Sequence, residues 1–172
     1  SSMDALTTGV NDGVRLFINI IAMLLVFTAI VALVNFMLGG APDVMGAPLS
    51  VERMLGWVFA PLVWLAGIPW AESGAAGTVM GFKTALNEIF AYDQLAQLSD
   101  EMSPRTRLIM TYAACGFANF SSVGILIGGL IAVAPSRRED ILNLAPRALI
   151  SGTLATLMTG AVIGALPMAL FS

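Results

Sequence analysis

Long apolar runs alternate with short polar, glycine-rich or proline-rich segments along the chain. The first run, residues 16–38, contains no charged side chain. As a helix with a rise of about 1.5 Å per residue it is roughly 35 Å long, which is enough to cross the ~30 Å hydrocarbon core of a bilayer. Gly39, Gly40 and Pro42 follow this run and are typical of a helix end. The pattern predicts a transmembrane helix over about 16–38.

The next segment, about 51–98, is apolar but interrupted. Its first part, residues 54–71, contains two prolines, and its second part, residues 81–98, contains several charged side chains. Residues 72–77 between the two parts are polar or small. Two half-length helices can enter a membrane and return if the irregular tip between them is covered by protein or lines a wet cavity. The sequence therefore predicts a re-entrant helical hairpin over about 51–98.

Two further apolar stretches complete the chain. Residues 108–135 carry no charge, but their centre, residues 115–122, is polar and glycine-containing. An unwound helix in lipid exposes backbone groups that cost several kcal/mol each unless they are hydrogen-bonded. We therefore predict a broken helix over about 106–135 whose centre faces a site rather than acyl chains. A charged loop at 135–147 is expected next, followed by a glycine-rich transmembrane helix over about 147–171.

Composition places the whole chain in the bilayer. Hydrophobic residues make up 58% and charged residues 11% of the 172 residues, against roughly 45–50% and about 25% in soluble domains. The net charge of -3 provides no basic face, which excludes nucleic acid as a partner. The chain has no histidine and one cysteine, so neither a metal site nor an internal disulfide is predicted. The predicted fold class is all-α integral membrane, in a single membrane domain.

Glu88 is the first residue that could carry chemistry. An ionised carboxylate at membrane depth costs at least about 2.5–3.5 kcal/mol, so such a residue normally has a partner and a function. Lys83, Glu88 and Asp93 recur every five residues and define no helical face. A surface segment with a solvated Glu88 is the alternative, and the spacing leaves both interpretations open.

The polar centre of the third apolar stretch is the second candidate. Asn119, Ser121 and Ser122 offer neutral donors and acceptors for a hydroxyl-bearing solute, and Phe117 offers an aromatic wall. The alternative is that these groups form hydrogen bonds between membrane helices. No nucleophile–base pair, second carboxylate at a fixed spacing or phosphate-binding glycine loop is recognisable, so no enzyme is predicted.

Two motifs resemble those of a known family. Residues 81–92 read Gly-Phe-Lys-Thr-Ala-Leu-Asn-Glu-Ile-Phe-Ala-Tyr. This is similar to the Gly-x-Lys-x-x-x-Asn-Glu-Phe-Val-Ala-Tyr signature of concentrative nucleoside transporters, with Ile89 and Phe90 as apolar replacements. Residues 115–122 resemble the same family's Cys-Gly-Phe-Ala-Asn-Phe-Ser-Ser segment. The resemblance covers essentially the whole chain.

The resemblance implies a multi-pass cell-membrane transporter that couples nucleoside uptake to Na⁺ or H⁺ and assembles as a homotrimer. This chain would supply the second half of an inverted-repeat core. Glu88, paired with Asn87, would accept hydrogen bonds from the ribose of a uridine-like nucleoside. Asn119 and Ser122 would bind the same sugar, and Phe117 would contact the base. Beyond the coupling ion, no cofactor is implied.

The resemblance also implies that part of the transporter lies outside this sequence. The family's first repeat, which includes the residues that read the base and hold the coupling ion, has no counterpart here. We therefore expect either a C-terminal fragment of a larger transporter or a chain that needs a partner supplying the missing N-terminal half. The alternative function is a non-transporting, gate-like or packing membrane module. Such a module would use Asn119 and Ser122 for packing and would tolerate Glu88→Gln.

Overall fold

A computed structural model describes residues 1–167 and shows a helical protein with no strand in this part of the chain. Short 3-10 turns at Ser99–Glu101 and Pro135–Arg137 precede the fifth and seventh of its α-helices. The helices are α1 (Ser2–Leu38), α2 (Val51–Leu65), α3 (Trp70–Ala85), α4 (Glu88–Gln97), α5 (Pro104–Ala114), α6 (Phe120–Val133) and α7 (Arg138–Ala165).

The first helix begins far earlier than the apolar run. The Ser1 side chain accepts a hydrogen bond from the Asp4 amide at 3.2 Å and caps α1. Because residues 2–15 contain no proline, the helix continues without a break into the predicted membrane segment 16–38. Among the described residues, α1 and the segment Pro135–Ala165 are the two helical stretches long and apolar enough to cross a membrane.

The segment 51–98 forms three helices, and the chain does not break at 72–77, where a link between two half-length helices was expected. Residues 72–77, expected to be an irregular link, lie inside α3. The chain turns earlier, at 66–69, where Gly67 has a φ of +99° that favours glycine. It breaks a second time at residues 86–87. Of the small residues expected in that link, Ser73, Ala76 and Gly77 are buried within α3, and Gly77 contacts the α2 backbone.

Helices α2 and α3 cross at backbone distance. A Cβ atom on Gly77 would lie 2.5 Å from the Gly56 carbonyl oxygen, and a Cβ on Gly81 would overlap the Glu52 carbonyl oxygen. The pairing of Gly77 with Gly56 and of Gly81 with Glu52 shows that the two helices are antiparallel. Small residues allow such close approach, which increases van der Waals contact between helices in lipid.

The hydrophobic core lies among α2, α3, α4, α5 and α7. On α7, Gly160 and Gly164 let Ile109 of α5 approach closely, since a Cβ on Gly164 would lie 2.7 Å from the Ile109 Cδ1 atom. Buried members of this core include Phe59, Val63, Ile68, Val79, Met80, Leu95, Ile109, Met110 and Leu157.

Polar contacts fix the N-terminal end of α5 relative to its neighbours. The Glu72 carboxylate accepts hydrogen bonds from the Ser103 amide at 2.9 Å and from the Ser103 hydroxyl at 3.0 Å, next to the N-terminus of α5. Arg105 donates to the carbonyl oxygens of Gly67 at 2.9 Å and Gly164 at 2.5 Å. These contacts tie the α2–α3 turn and the end of α7 to the same helix.

A separate polar contact joins α1 to α2. The Asn35 amide nitrogen lies 3.0 and 2.9 Å from the two carboxylate oxygens of the buried Glu52. The side-chain oxygen of Asn35 accepts a hydrogen bond from the Val51 backbone amide at 2.8 Å. Asn35 thus provides hydrogen-bond partners both for the first backbone amide of α2 and for the buried Glu52 carboxylate.

The expected loop at 135–147 is also wrong, because α7 begins at Arg138. Glu139 and Asp140 occupy its first turn, where carboxylates interact favourably with the helix N-terminus. Arg137 and Asp140 form an exposed ion pair at 2.6 Å. The end of the predicted helix over 147–171 lies partly outside the described residues.

The close α2–α3 crossing predicts a clear difference between two glycines of one helix. Gly77→Ala puts a methyl group into the α2 backbone, so we expect the free energy of unfolding to fall by about 1–3 kcal/mol. Gly74→Ala is the control, since nothing lies within 4 Å of its added Cβ. Thermal unfolding of the full-length protein in detergent measures both. Equal melting temperatures for the Gly77→Ala and Gly74→Ala variants would contradict a close approach of α2 and α3 at Gly77.

Candidate substrate-binding site

Two helix breaks lie side by side. The first, residues 86–87, separates α3 from α4, and the second, residues 115–119, separates α5 from α6 within the predicted broken helix 106–135. The Tyr92 hydroxyl of α4 donates to the Thr111 carbonyl oxygen of α5 at 3.0 Å and holds the two breaks together. Four helix ends therefore meet in one region.

Asn87 closes the first break. Its backbone is extended, and its side-chain oxygen accepts from the Ile89 amide at 3.0 Å and the Phe90 amide at 3.4 Å. Asn87 is buried and acts as the N-cap of α4. This cap makes Glu88 the first residue of the helix, half-buried, with its carboxylate at the partial positive charge of the helix N-terminus.

Asn119 closes the second break. Its side-chain oxygen accepts from the Ser122 amide at 2.8 Å and from the Ser121 hydroxyl at 2.7 Å. The Ser122 hydroxyl accepts a hydrogen bond from the Asn119 backbone amide at 2.9 Å and donates one to the Asn119 backbone carbonyl oxygen at 2.7 Å. This reciprocal capping box gives hydrogen-bond partners to the Asn119 and Ser122 backbone amides at the break.

One hydrogen bond joins the two caps across the site. Asn119 is fully buried, and its side-chain amide nitrogen donates a hydrogen bond to a Glu88 carboxylate oxygen at 3.4 Å. Because the side-chain oxygen of Asn119 already accepts two hydrogen bonds, only the hydrogens of its side-chain amide nitrogen remain for a ligand. Glu88 and Asn119 thus present an acceptor beside a donor. This pair complements a hydroxyl group, which both donates and accepts.

Phe117 lies at the edge of a separate cavity. Its side chain is 56% exposed and lines a space of about 360 Å³ between α6 and α7. Ser122 also lines this cavity, whereas Glu88 and Asn119 do not. The structure therefore brings Glu88, Asn119 and Ser122 into one hydrogen-bonded group. It places Phe117 beside that group and gives Asn87 a capping position.

Sequence reasoning missed how three neighbouring residues are used. Ser121 supports the Asn119 side chain, and Tyr92 connects α4 to α5. Lys83 is fully buried at the end of α3, although the charge spacing favoured no face for it. The available signal for Lys83 was its place in the motif at 81–92, five residues before Glu88.

Comparison with known sequences identifies related transporters. The family model described as Na⁺-dependent nucleoside transporter C-terminus matches residues 1–164. An uncharacterised transporter of Bacillus subtilis, YutK, is 44% identical over 163 residues, which cover 94% of this chain and 40% of that protein. Nucleoside permease NupC of Helicobacter pylori is 39% identical over 170 residues, covering 95% and 41%. The chain spans about two fifths of the length of these bacterial relatives.

Solved structures of the transporter CNTnw are similar over nearly all of the chain. A variant in an intermediate state has a TM-score of 0.85 and 37% identity, covering 100% of this chain and 42% of that one. CNTnw in an inward-facing substrate-bound state has a TM-score of 0.74 and 36% identity, covering 95% and 41%.

The capping geometry predicts that the two functions of Asn119 can be separated. Asn119→Ala removes the N-cap oxygen, so we expect a loss of about 1–2 kcal/mol in the free energy of unfolding. Asn119→Ser retains a capping oxygen and should cost less than half as much, although both variants lose the donor to Glu88. Thermal unfolding of the full-length protein in detergent compares them. An equal loss in both would show that the cap does not determine stability.

Proposed function

The chain belongs to the Na⁺-dependent nucleoside transporter family, and we propose that it forms the nucleoside-recognition half of an ion-coupled nucleoside symporter. Membrane localisation follows from this family and agrees with the apolar helices α1 and α7. The observation that carries the proposal is the Glu88–Asn119 pair at two adjoining helix breaks. Polar groups at broken helices near the middle of a transporter are typical of a substrate site.

The ribose of a nucleoside fits the donors and acceptors of this pair. A ribose hydroxyl donates to the Glu88 carboxylate and accepts from the Asn119 amide nitrogen. Its neighbouring hydroxyl uses the second carboxylate oxygen. Ser122 contributes an acceptor only, because its hydroxyl hydrogen is directed to the backbone carbonyl oxygen of Asn119. Hydrogen bonds to a charged group contribute about 1.5–3 kcal/mol each, so Glu88 should dominate binding.

The remaining two site residues have narrower functions in this proposal. The exposed aromatic ring of Phe117 contacts the nucleobase, for which a flat apolar surface is the suitable partner. Asn87 contributes a donor only, since its carbonyl oxygen caps α4. Neither contact distinguishes purines from pyrimidines, and uridine serves as the test substrate.

The rest of the transport machinery belongs to the part of the protein that this chain does not contain. We propose that the coupling site for Na⁺ or H⁺ and the other half of the nucleoside site lie in that part, as the resemblance of the motifs at 81–92 and 115–122 implies. The chain spans about two fifths of its bacterial relatives. The complete protein is proposed to be a homotrimer that crosses the cell membrane several times, with the lipid bilayer and nucleosides as its partners and no other cofactor.

The alternative, a non-transporting packing module, is less well supported by the hydrogen bonds. A packing module would use the polar side chains of 119–122 to bond neighbouring helices. Here Ser121 and Ser122 bond to Asn119 in the first turn of their own helix. Only the Asn119–Glu88 hydrogen bond crosses to another element within this group.

Uptake measurements test the transport function directly. Cells without endogenous nucleoside uptake would express the full-length protein, and labelled uridine would be counted. Replacing Glu88 with glutamine removes the charged acceptor, so we expect uptake to fall about tenfold or more. The same replacement at the exposed Glu139 of α7 is the control and should leave uptake unchanged. Uptake retained by Glu88→Gln, or none by a well-inserted wild type toward any nucleoside, would favour the packing module.

Discrimination between sugars tests the ribose assignment. A substrate lacking a hydroxyl leaves a buried donor or acceptor unpaired, so 2′-deoxyuridine or 3′-deoxyuridine should compete with uridine about tenfold less well. In Glu88→Gln this preference should shrink, since the charged acceptor is gone. The measurement is inhibition of labelled uridine uptake by each analogue. Equal inhibition by all three nucleosides in the wild type would refute the assignment.

A further inference from the structure

Lys83 is the only lysine in the sequence and lies in the last turn of α3. Its side chain has no exposed surface, and its Nζ atom has no hydrogen-bond partner among the described residues. An ammonium group buried without a partner costs several kcal/mol relative to water. Stability of the fold therefore does not explain a lysine at this position.

The surroundings of Lys83 point to the substrate site. The α3 helix ends two residues after Lys83, and the break that follows carries Asn87 and Glu88. The partial negative charge of the helix C-terminus favours an ammonium group there but provides no hydrogen bond to this one. The Glu88 carboxylate attracts the Lys83 ammonium, although the two groups do not form a close ion pair.

Lys83 is also the one basic residue on α3 and α4, the two helices that flank the break before Glu88. The Tyr92 hydroxyl of α4 interacts with the Glu88 carboxylate and with the Cys115 thiol at the end of α5. The basic residues of α5, Arg105 and Arg107, lie in its first turn, at the opposite end of that helix from the break. The α6 helix contributes the neutral Asn119.

We propose that Lys83 is a positioning residue for nucleoside binding: its buried ammonium orients the Glu88 carboxylate toward the ribose. This proposal rests on the proposed function of Glu88. The 3.4 Å hydrogen bond from Asn119 is long and holds one oxygen of the carboxylate. Attraction by a charge in the preceding helix limits the remaining freedom of the Glu88 side chain. Lys83 thus affects the substrate through Glu88 without touching it.

Lys83→Met separates this function from a structural one. Methionine has a similar length and removes the unpaired charge, so the melting temperature of the full-length protein in detergent should stay equal or rise. The dissociation constant for uridine, measured by equilibrium binding to the same purified protein, should increase about fivefold or more. Lys83→Arg keeps the charge and should restore part of the affinity. Arg147→Met removes an exposed cation of α7 and serves as the control, with no change expected.

A double-variant cycle with Glu88→Gln decides how Lys83 acts. If Lys83 acts through Glu88, adding Lys83→Met to Glu88→Gln should change the dissociation constant less than about twofold. Equal weakening in both backgrounds, together with a lower melting temperature, would overturn the proposal and leave Lys83 a structural residue. If Glu88→Gln alone left uridine binding unchanged, the ribose assignment itself would fail, and the positioning function with it.

Discussion

Backbone groups that a helix break exposes inside a membrane must find hydrogen-bond partners, and this constraint shapes the centre of the molecule. Both breaks are closed by an asparagine, Asn87 before α4 and Asn119 before α6. Each uses its side-chain oxygen on backbone amides and keeps its amide nitrogen for other partners. The caps therefore lower the free-energy cost of the breaks. They also leave the side-chain amide nitrogens of the two asparagines as donors near the Glu88 carboxylate. The same side chains serve folding and recognition.

The breaks meet only because the helices around them are held at close range. Glycines at 56, 77 and 81 let the backbones of α2 and α3 come into contact. Gly160 and Gly164 let Ile109 of α5 pack closely against α7. Glu72 and Arg105 attach the beginning of α5 to α3, to the α2–α3 turn and to α7. With the starts of α3 and α5 fixed in this way, their ends and the two breaks are brought together. A site built from short helices thus depends on tight packing some distance from it.

The charges of the centre are distributed in a way that folding alone does not require. A packed interior of this composition is more stable without a buried, unpartnered ammonium group. Yet Lys83 is buried at the end of α3, and Glu88 is half-buried just beyond it. Opposite charges on the two sides of one break, bridged by no direct contact, leave the carboxylate available to a third group. Residues retained at a cost in stability are commonly those that bind or orient a ligand.

Hydrophobic runs in the sequence were sufficient to predict an all-helical membrane protein, because the energy of burying apolar surface in lipid depends on composition and length. The polar motifs at 81–92 and 115–122 indicated the residues of the candidate site only through their resemblance to a known family, since the residues alone left a surface segment or helix–helix hydrogen bonding equally open. The path of the chain between 66 and 87 was not predictable in this way. Glycine serves equally in a turn and at a close helix crossing, and only the neighbouring α2 backbone determines that Gly77 lies at such a crossing. The capping of the breaks and the burial of Lys83 were also decided by tertiary structure, because hydrogen-bond partners and solvent exposure depend on elements that lie far apart in the sequence.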